Sequence, residues 1–238
     1  MKFSIERDQL LKPLQSLCSV VEKRQTLPIL SNLLVKVEKD KLFLTATDLE
    51  VEMHTNVSVK NTEPGETTFS ARKFLDICRT LPEGSLIDVI QDATKVILKS
   101  GKSRFSLTTL SSSEFPSVDA VEEGVSFKIS QKVFNRLIES TQFAMAQQDV
   151  RYYLNGLMME VASGVIRTVA TDGHRLAYCE QNIDGDLADS KQVIIPRKGV
   201  GELQRLLSDS DDLIKVVLGN NHIQCELPNQ RFTSKLID

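Results

Sequence analysis

The stretch QDVRYYLNGLMMEVASGVIRTVATDGHRLA, residues 148–177, decides how this chain is read. It holds two adjacent tyrosines behind an arginine, an expected strand pair and the polar run Thr171-Asp172-Gly173-His174-Arg175. Parts of it have an echo earlier in the chain. Asn155-Gly156-Leu157 matches Asn32-Leu33-Leu34, and Thr168-Val169-Ala170-Thr171-Asp172 matches Leu44-Thr45-Ala46-Thr47-Asp48. Further out, Arg197-Lys198 matches Arg72-Lys73, and Arg231-Phe232-Thr233 matches Arg104-Phe105-Ser106. The offset drifts from 123 to 127 across the four matches, as small loop insertions would make it. Four matches in order define an internal repeat: two copies of one β-rich domain, each with a pair of helices.

The local patterns support this. Met1, Phe3 and Ile5 alternate with Lys2, Ser4 and Glu6, the period of a half-buried strand. Leu10, Leu11, Leu14, Leu17 and Val21 recur at helical spacing, and Pro13 is expected near that helix's start or at a kink. Lys23 to Pro28 reads as a loop. Strands are expected over Leu33–Val37, Leu42–Thr47, Val51–Val59 and Thr67–Phe69. Ser70 is placed to cap a helix over Ala71–Leu81. Leu86–Gln91, Lys95–Ser100 and Arg104–Leu110 close the first copy as strands. Ser111–Glu123 reads as a linker, so the domains are expected at 1–122 and 123–238. In the second copy Ser126–Ile129 is a strand and Ser130 a cap for a helix with Phe134, Leu137, Ile138 and Thr141 on one face. Leu154–Val161, Val165–Ala170, Ala177–Gln181 and Val193–Ile195 follow as strands, then a helix over Arg197–Leu207. The strands Leu213–Leu218, Ile223–Leu227 and Arg231–Lys235 end the chain. The fold class is α+β.

With 238 residues, 41% hydrophobic and 26% charged, the chain has the composition of a globular protein of one large or two ordinary domains. No signal-peptide pattern follows Met1, and no apolar run approaches the ~20 residues that span a bilayer. Cys18, Cys78, Cys179 and Cys225 are widely spaced, which suits reduced, mostly buried thiols in the cytoplasm. His54, His174 and His222 are scattered, so no metal is expected. The net charge of −3 does not advertise a nucleic-acid binder, but its distribution is uneven. The four expected helices, counted over 7–24, 71–81, 130–144 and 197–208, carry twelve basic residues against five acidic ones. Basic helices on an acidic remainder suit phosphate contacts without base reading, although helices also carry Lys and Arg for solubility.

Six stretches resemble one family: Leu27–Asn32, Phe105–Leu107 with Phe115-Pro116, Gln148–Gly156, Thr168–Leu176, Ile195–Gly199 and Phe232–Leu236. Together they resemble the bacterial DNA sliding clamp, the β subunit of DNA polymerase III, over the full length of the chain. The resemblance implies a DNA-clamp fold of tandem repeated domains, with antiparallel sheets outside and two helices per domain on the inner face. That family has three such domains, two chains closing head to tail into a ring. This sequence matches the first two, so a third is expected to be missing and a polypeptide of these residues is expected to be monomeric.

The resemblance also implies site residues. Arg24, Arg72, Gln148, Tyr152 and Tyr153 fall on positions that touch double-stranded DNA, with Arg151 as their neighbour. Leu154, Thr171, Gly173, His174, Arg175 and Leu176 fall on a pocket for short apolar peptides of the polymerase catalytic subunit, the clamp loader and repair proteins. Lys73, Lys102, Arg104, Phe105 and Leu107 fall on the ring interface. The implied function is a non-catalytic processivity factor with no cofactor. Two other readings stay open on the residues alone. Asp172 and His174 could form an acid–base pair, although the pair lacks a third partner and Glu50 stands where His174 would be in the first copy. A repeated scaffold that binds only proteins is the other.

Overall fold

The computed structural model describes residues 1–21, 27–116, 124–183 and 190–237. The chain divides into two compact units, Met1–Val118 and Asp119–Asp238. Each is an α+β unit of antiparallel strands with two helices.

In unit 1 the order is β1 (Lys2–Glu6), α1 (Arg7–Val20), β2 (Asn32–Glu38), β3 (Lys41–Thr47), β4 (Val51–Ser58), β5 (Lys60–Glu63), β6 (Gly65–Ser70), α2 (Ala71–Thr80), β7 (Leu86–Asp92), β8 (Lys95–Ser100) and β9 (Ser103–Leu110). Unit 2 repeats it as β10 (Val125–Ser130), α3 (Gln131–Glu139), β11 (Gly156–Ala162), β12 (Val165–Thr171), β13 (Leu176–Asn182), β14 (Lys191–Pro196), α4 (Arg197–Leu206), β15 (Leu213–Leu218), β16 (His222–Leu227) and β17 (Gln230–Lys235). Strand neighbours correspond as well. The run β4-β3-β2-β6 in unit 1 matches β13-β12-β11-β14 in unit 2, and β9-β8-β7-β1 matches β17-β16-β15-β10. In unit 1 the two runs join where β6 pairs β9, Thr68 facing Leu110. In unit 2 the corresponding join is a single bridge between Ile194 and Ile237.

The extra strand β5 was not expected. It has no apolar alternation, and it holds to the edge of β1 through pairs such as Lys2 with Glu63. A short, charged edge strand of this kind resists further pairing. Its sequence gives no periodicity to read.

Two of the four helices are started by a local signal. The hydroxyls of Ser70 and Ser130 accept hydrogen bonds from the backbone N–H groups of Lys73 and Val133, capping α2 and α3. Helix α1 begins earlier than its apolar stripe, which leaves Pro13 inside it rather than near its start. Tertiary bonds anchor this early turn: Arg7 donates from Nε to the Cys78 carbonyl at 3.0 Å. The Asp8 carboxylate accepts from the Gly84 N–H at 2.9 Å. Helix α3 ends sooner than expected, at Glu139, because the buried Thr141 hydroxyl folds back on the Leu137 carbonyl at 2.8 Å. A 3₁₀ turn, Gln142–Ala144, follows.

The helices pack as pairs, α1 on α2 and α3 on α4. Each unit buries three phenylalanines among its largest core side chains: Phe3, Phe69 and Phe74 in unit 1, Phe127, Phe134 and Phe232 in unit 2. Phe69 and Phe74 meet edge to face with centroids 5.2 Å apart. Three cysteines, Cys18, Cys78 and Cys225, are buried thiols, and Cys179 is partly covered. Burial pushes Cys18 up to about 11 and Cys78 up to about 12. Among the described residues, no helix is long and apolar enough to cross a membrane.

Gly199 on α4 shows how tightly helix and sheet meet. A Cβ there would lie 2.3 Å from the Ser234 hydroxyl oxygen on β17. Alanine is the better helix former by about 1 kcal/mol, but overpacking a buried contact costs about 1–3 kcal/mol. Gly199→Ala is therefore expected to lower the urea midpoint of unfolding, not raise it.

Candidate functional site

The polar run after β12 is a turn held by its own side chains. The Thr171 hydroxyl donates to the Arg175 carbonyl at 2.7 Å and accepts from the Gly173 N–H at 3.1 Å. One carboxylate oxygen of Asp172 accepts from the N–H groups of His174 and Arg175, each at 3.0 Å. Unit 1 builds the same turn. Thr47 donates to the Val51 carbonyl at 3.0 Å and accepts from the Leu49 N–H at 3.1 Å. Asp48 accepts from Glu50 at 2.9 Å and Val51 at 2.7 Å. These are Asx and Thr turns fused into one motif. The third residue takes a left-handed φ in both copies: Gly173 at +89° and Leu49 at +78°. The backbone N–H groups of His174 and Arg175, then the Arg175 guanidinium, hold the Asp172 carboxyl below the usual carboxylate range. Its carboxylate is the anchor of the turn. Its other oxygen takes the Arg175 Nε at 3.0 Å.

A second loop lies before β11. Asp149 and Asn155 close it on each other: the Asp149 N–H donates to Asn155 Oδ1 at 3.0 Å, and Asn155 Nδ2 donates to the Asp149 carbonyl at 2.9 Å. This clamp forces Tyr152–Asn155 into a 3₁₀ turn, so Leu154 is not on a strand as its apolar neighbours suggested. Unit 1 has a matching 3₁₀ turn at Pro28–Ser31, just before Asn32. Arg151 turns back on Asp149 as a two-bond pair, Nε to Oδ1 at 3.0 Å and Nη2 to Oδ2 at 2.9 Å. The Arg151 guanidinium and N–H pull the Asp149 carboxyl down to about 2.

The two loops and the 3₁₀ turn after α3 enclose a cleft of about 380 Å³. Its lining includes Phe143, Met145, Asp149, Arg151, Asp172, His174, Arg175 and Arg197. Gly173 admits Arg151 there, since a Cβ would stand 3.2 Å from Arg151 Nη2. Arg175 lies over the Phe143 ring, 5.6 Å from its centroid, and donates to the Phe143 carbonyl at 2.7 Å. Arg197 donates to the carbonyls of Met145 at 3.1 Å and Ala146 at 3.2 Å. Arg72, its counterpart in unit 1, donates likewise to the Val21 carbonyl at 2.8 Å. In each copy, an arginine at the start of the second helix satisfies carbonyls that follow the first.

The residues singled out in the sequence thus separate. Arg24 lies outside the described residues. Arg72 belongs to unit 1 and is committed to the Val21 carbonyl. Gln148, Tyr152 and Tyr153 share one exposed loop, with the tyrosines 61% and 50% exposed and their rings 6.2 Å apart, edge to face. Arg151 follows the cleft instead. His174 and Arg175 line the cleft, Gly173 lies under Arg151, and Thr171 anchors the turn. Leu154 is half-buried, and Leu176 stands 66% exposed at the first residue of β13. In unit 1, Lys73, Lys102 and Arg104 are exposed and Phe105 is half-buried. Leu107 is only 6% exposed, because alternation along β9 turns it inward. The sequence reading missed Phe143, Asp149 and Arg197 as cleft residues. Phe143 carried a signal: it is a large apolar residue off the helical stripe of Phe134, Leu137, Ile138 and Thr141. Arg197 carried one as the repeat of Arg72.

The comparisons with known proteins cover both units. Residues 1–119 match the family model for the DNA polymerase III beta subunit, N-terminal domain, and residues 128–238 match that for its central domain. The beta sliding clamp of Pseudomonas aeruginosa is 51% identical over 239 residues, covering 100% of this chain and 65% of that protein. The beta sliding clamp of Escherichia coli strain K12 is also 51% identical, with the same coverage. A crystal structure of the Pseudomonas aeruginosa DNA polymerase III subunit beta superposes with a TM-score of 0.96, covering all of this chain and 65% of that one. The chain thus spans about two thirds of the length of these relatives.

The Asp149–Arg151 pair gives a test of the loop geometry. The folded pKa of Asp149 lies below that of a free aspartate, so its contribution to stability is complete above about 4. It is lost as the pH falls through about 2. Carboxyl-carbon NMR of the folded chain is expected to show Asp149 titrating near that value. In Arg151→Gln the midpoint is expected to move up toward the free-aspartate value.

Proposed function

The chain belongs to the DNA polymerase III beta subunit family, and from that premise we propose that it serves as the first two domains of a DNA sliding clamp. In this reading it holds duplex DNA without base specificity and tethers the polymerase and other replication proteins through a peptide pocket. The observation that carries the reading is the match of both units, at half identity, to proteins named beta sliding clamp. The activity is one of binding in the cytoplasm, with no chemistry and no cofactor of its own.

The geometry of each unit supports the division of labour. Tyr152 and Tyr153 project from one loop with Gln148, and Val150 beside them is also exposed. Aromatic rings held off the core in this way offer flat faces and hydroxyls to nucleic acid. Each of the four helices carries more basic than acidic residues, which favours a phosphate backbone as ligand. The cleft beside the Thr171–Arg175 turn suits a peptide. Phe143 and Met145 supply apolar wall, while Arg151, Arg175 and Arg197 outnumber the two aspartates they pair with or adjoin. A short apolar segment carrying a carboxylate fits that lining. Leu176 extends the apolar surface at the end of the turn. The ring contacts proposed for Lys73, Lys102, Arg104 and Phe105 would engage a further domain of a partner chain, so a polypeptide of these 238 residues is expected to sediment as a monomer.

The reading predicts weak duplex binding whose logarithm falls linearly with the logarithm of salt concentration. Fluorescence anisotropy with a labelled duplex should show it. Tyr152→Ser with Tyr153→Ser is expected to weaken it roughly tenfold, and Arg24→Ala to reduce the salt slope by about 1. Salt-independent indifference to DNA would support a protein-only scaffold instead. Turnover lost in His174→Ala would support an enzyme.

A further inference from the structure

Unit 1 has its own cleft at the place where the repeat puts the peptide cleft of unit 2. It measures about 350 Å³ and is lined by Leu27, Pro28, Ile29, Leu49, Leu110 and Glu114, among others. The correspondence covers the 3₁₀ turn and the Thr-Asp turn. Leu27 precedes the 3₁₀ turn before β2, as Arg151 precedes that before β11, while Leu110 and Glu114 are additions of unit 1. Leu49 occupies the left-handed position of the Thr47–Val51 turn, as Gly173 does in its copy.

The chemistry of the two clefts is opposite. His174-Arg175 in unit 2 becomes Glu50-Val51 in unit 1, with Val51 buried. The exposed carboxylate of Glu114 lines the unit 1 cleft, and Glu50 stands next to Leu49 on its turn. Neither takes part in an ion pair among the described residues. The walls are apolar: Leu27, Leu49 and Leu110 are all exposed despite their size. Leu49 is also held at a φ that a branched, bulky residue adopts at a cost, where glycine would be free of strain. The turn itself is specified by Thr47 and Asp48, so nothing in its hydrogen bonding requires a leucine there. Its side chain has a cleft wall as its one visible task.

We propose that this unit 1 cleft is a second docking site, for a short extended segment of a partner polypeptide with apolar side chains next to a lysine or arginine. The apolar side chains enter between Leu27, Leu49 and Leu110, and the cation meets Glu114. The proposal rests on the peptide-pocket reading of unit 2 only for the class of ligand. The occupant's sign of charge comes from unit 1 alone. Apolar grooves with a few polar groups on the rim are a common way of capturing peptides.

The test uses the full 238-residue chain and two fluorescein-labelled hexapeptides, each with two leucines and a phenylalanine. One carries two lysines, the other two glutamates at the same positions. The lysine peptide is expected to bind, and Leu49→Gly to weaken it about tenfold, the effect of losing one well-buried apolar contact. This variant places in unit 1 the residue that unit 2 uses at the same φ, so circular dichroism and the urea midpoint should show it folded and no less stable. Glu114→Lys is expected to weaken the lysine peptide and favour the glutamate peptide. Leu176→Asp, on the unit 2 surface, should leave the lysine peptide unaffected while abolishing any glutamate-peptide binding that belongs to unit 2. Absence of lysine-peptide binding at millimolar concentration would overturn the proposal. So would lysine-peptide binding that responds to Leu176→Asp and not to Leu49→Gly, or a lysine peptide indifferent to Glu114→Lys. A failure of the unit 2 reading would appear separately, as a glutamate peptide indifferent to Leu176→Asp.

Discussion

A single carboxylate oxygen, accepting two backbone N–H groups, organises the same turn in each unit. In unit 2 it belongs to Asp172 and in unit 1 to Asp48. The threonine before it closes the same turn from the other side. With both bonds made, the residue after the aspartate must take a positive φ, and the hairpin register follows: Thr171 faces Leu176 and Thr47 faces Glu52. Part of the unit 2 cleft is placed relative to this turn. Gly173 lacks a Cβ, so Arg151 can lie against the backbone. Arg175, committed to Asp172, is aimed at Phe143. The residue that most resembles a catalytic acid spends one carboxylate oxygen on the backbone and the other on Arg175.

A second constraint links the helices. An arginine at the head of the second helix reaches the carbonyls left open after the first, Arg72 to Val21 and Arg197 to Met145 and Ala146. The guanidinium is suited to this, since it always carries charge and offers several donors in a fixed plane. Its position at the end of α1 also places positive charge at a helix C-terminus, which the helix dipole favours. The basic character of the helices is thus partly structural. A charge count alone cannot separate cations that hold the fold from cations available to a phosphate.

One fold has been given two different chemistries. At matched turn positions Gly173 stands against Leu49, His174 against Glu50 and Arg175 against the buried Val51, so the cationic residues of the unit 2 turn have no counterpart in unit 1. The scaffold tolerates this because the turn depends on Thr and Asp, which both copies have. The three residues after them are free to differ.

Much of the fold was legible because it rests on local regularities. Period-two alternation marked most strands, serine caps marked α2 and α3, and the Thr-Asp turn announced itself by recurring. Those features involve residues within a few positions of one another. The polar edge strand β5 was not legible, since its only reason to be a strand is the neighbour it pairs with. Leu154 was misplaced because the Asp149–Asn155 clamp, not its own apolar character, sets its backbone. The sequence by itself determined the repeat, the turn and the family. Only the tertiary structure decided that Arg151 folds onto Asp149 and Gly173, and that Phe143 and Arg197 share the cleft. Each of those depends on side-chain direction or on partners far along the chain, such as Arg197 and Met145, 52 residues apart, and neither is encoded in local spacing.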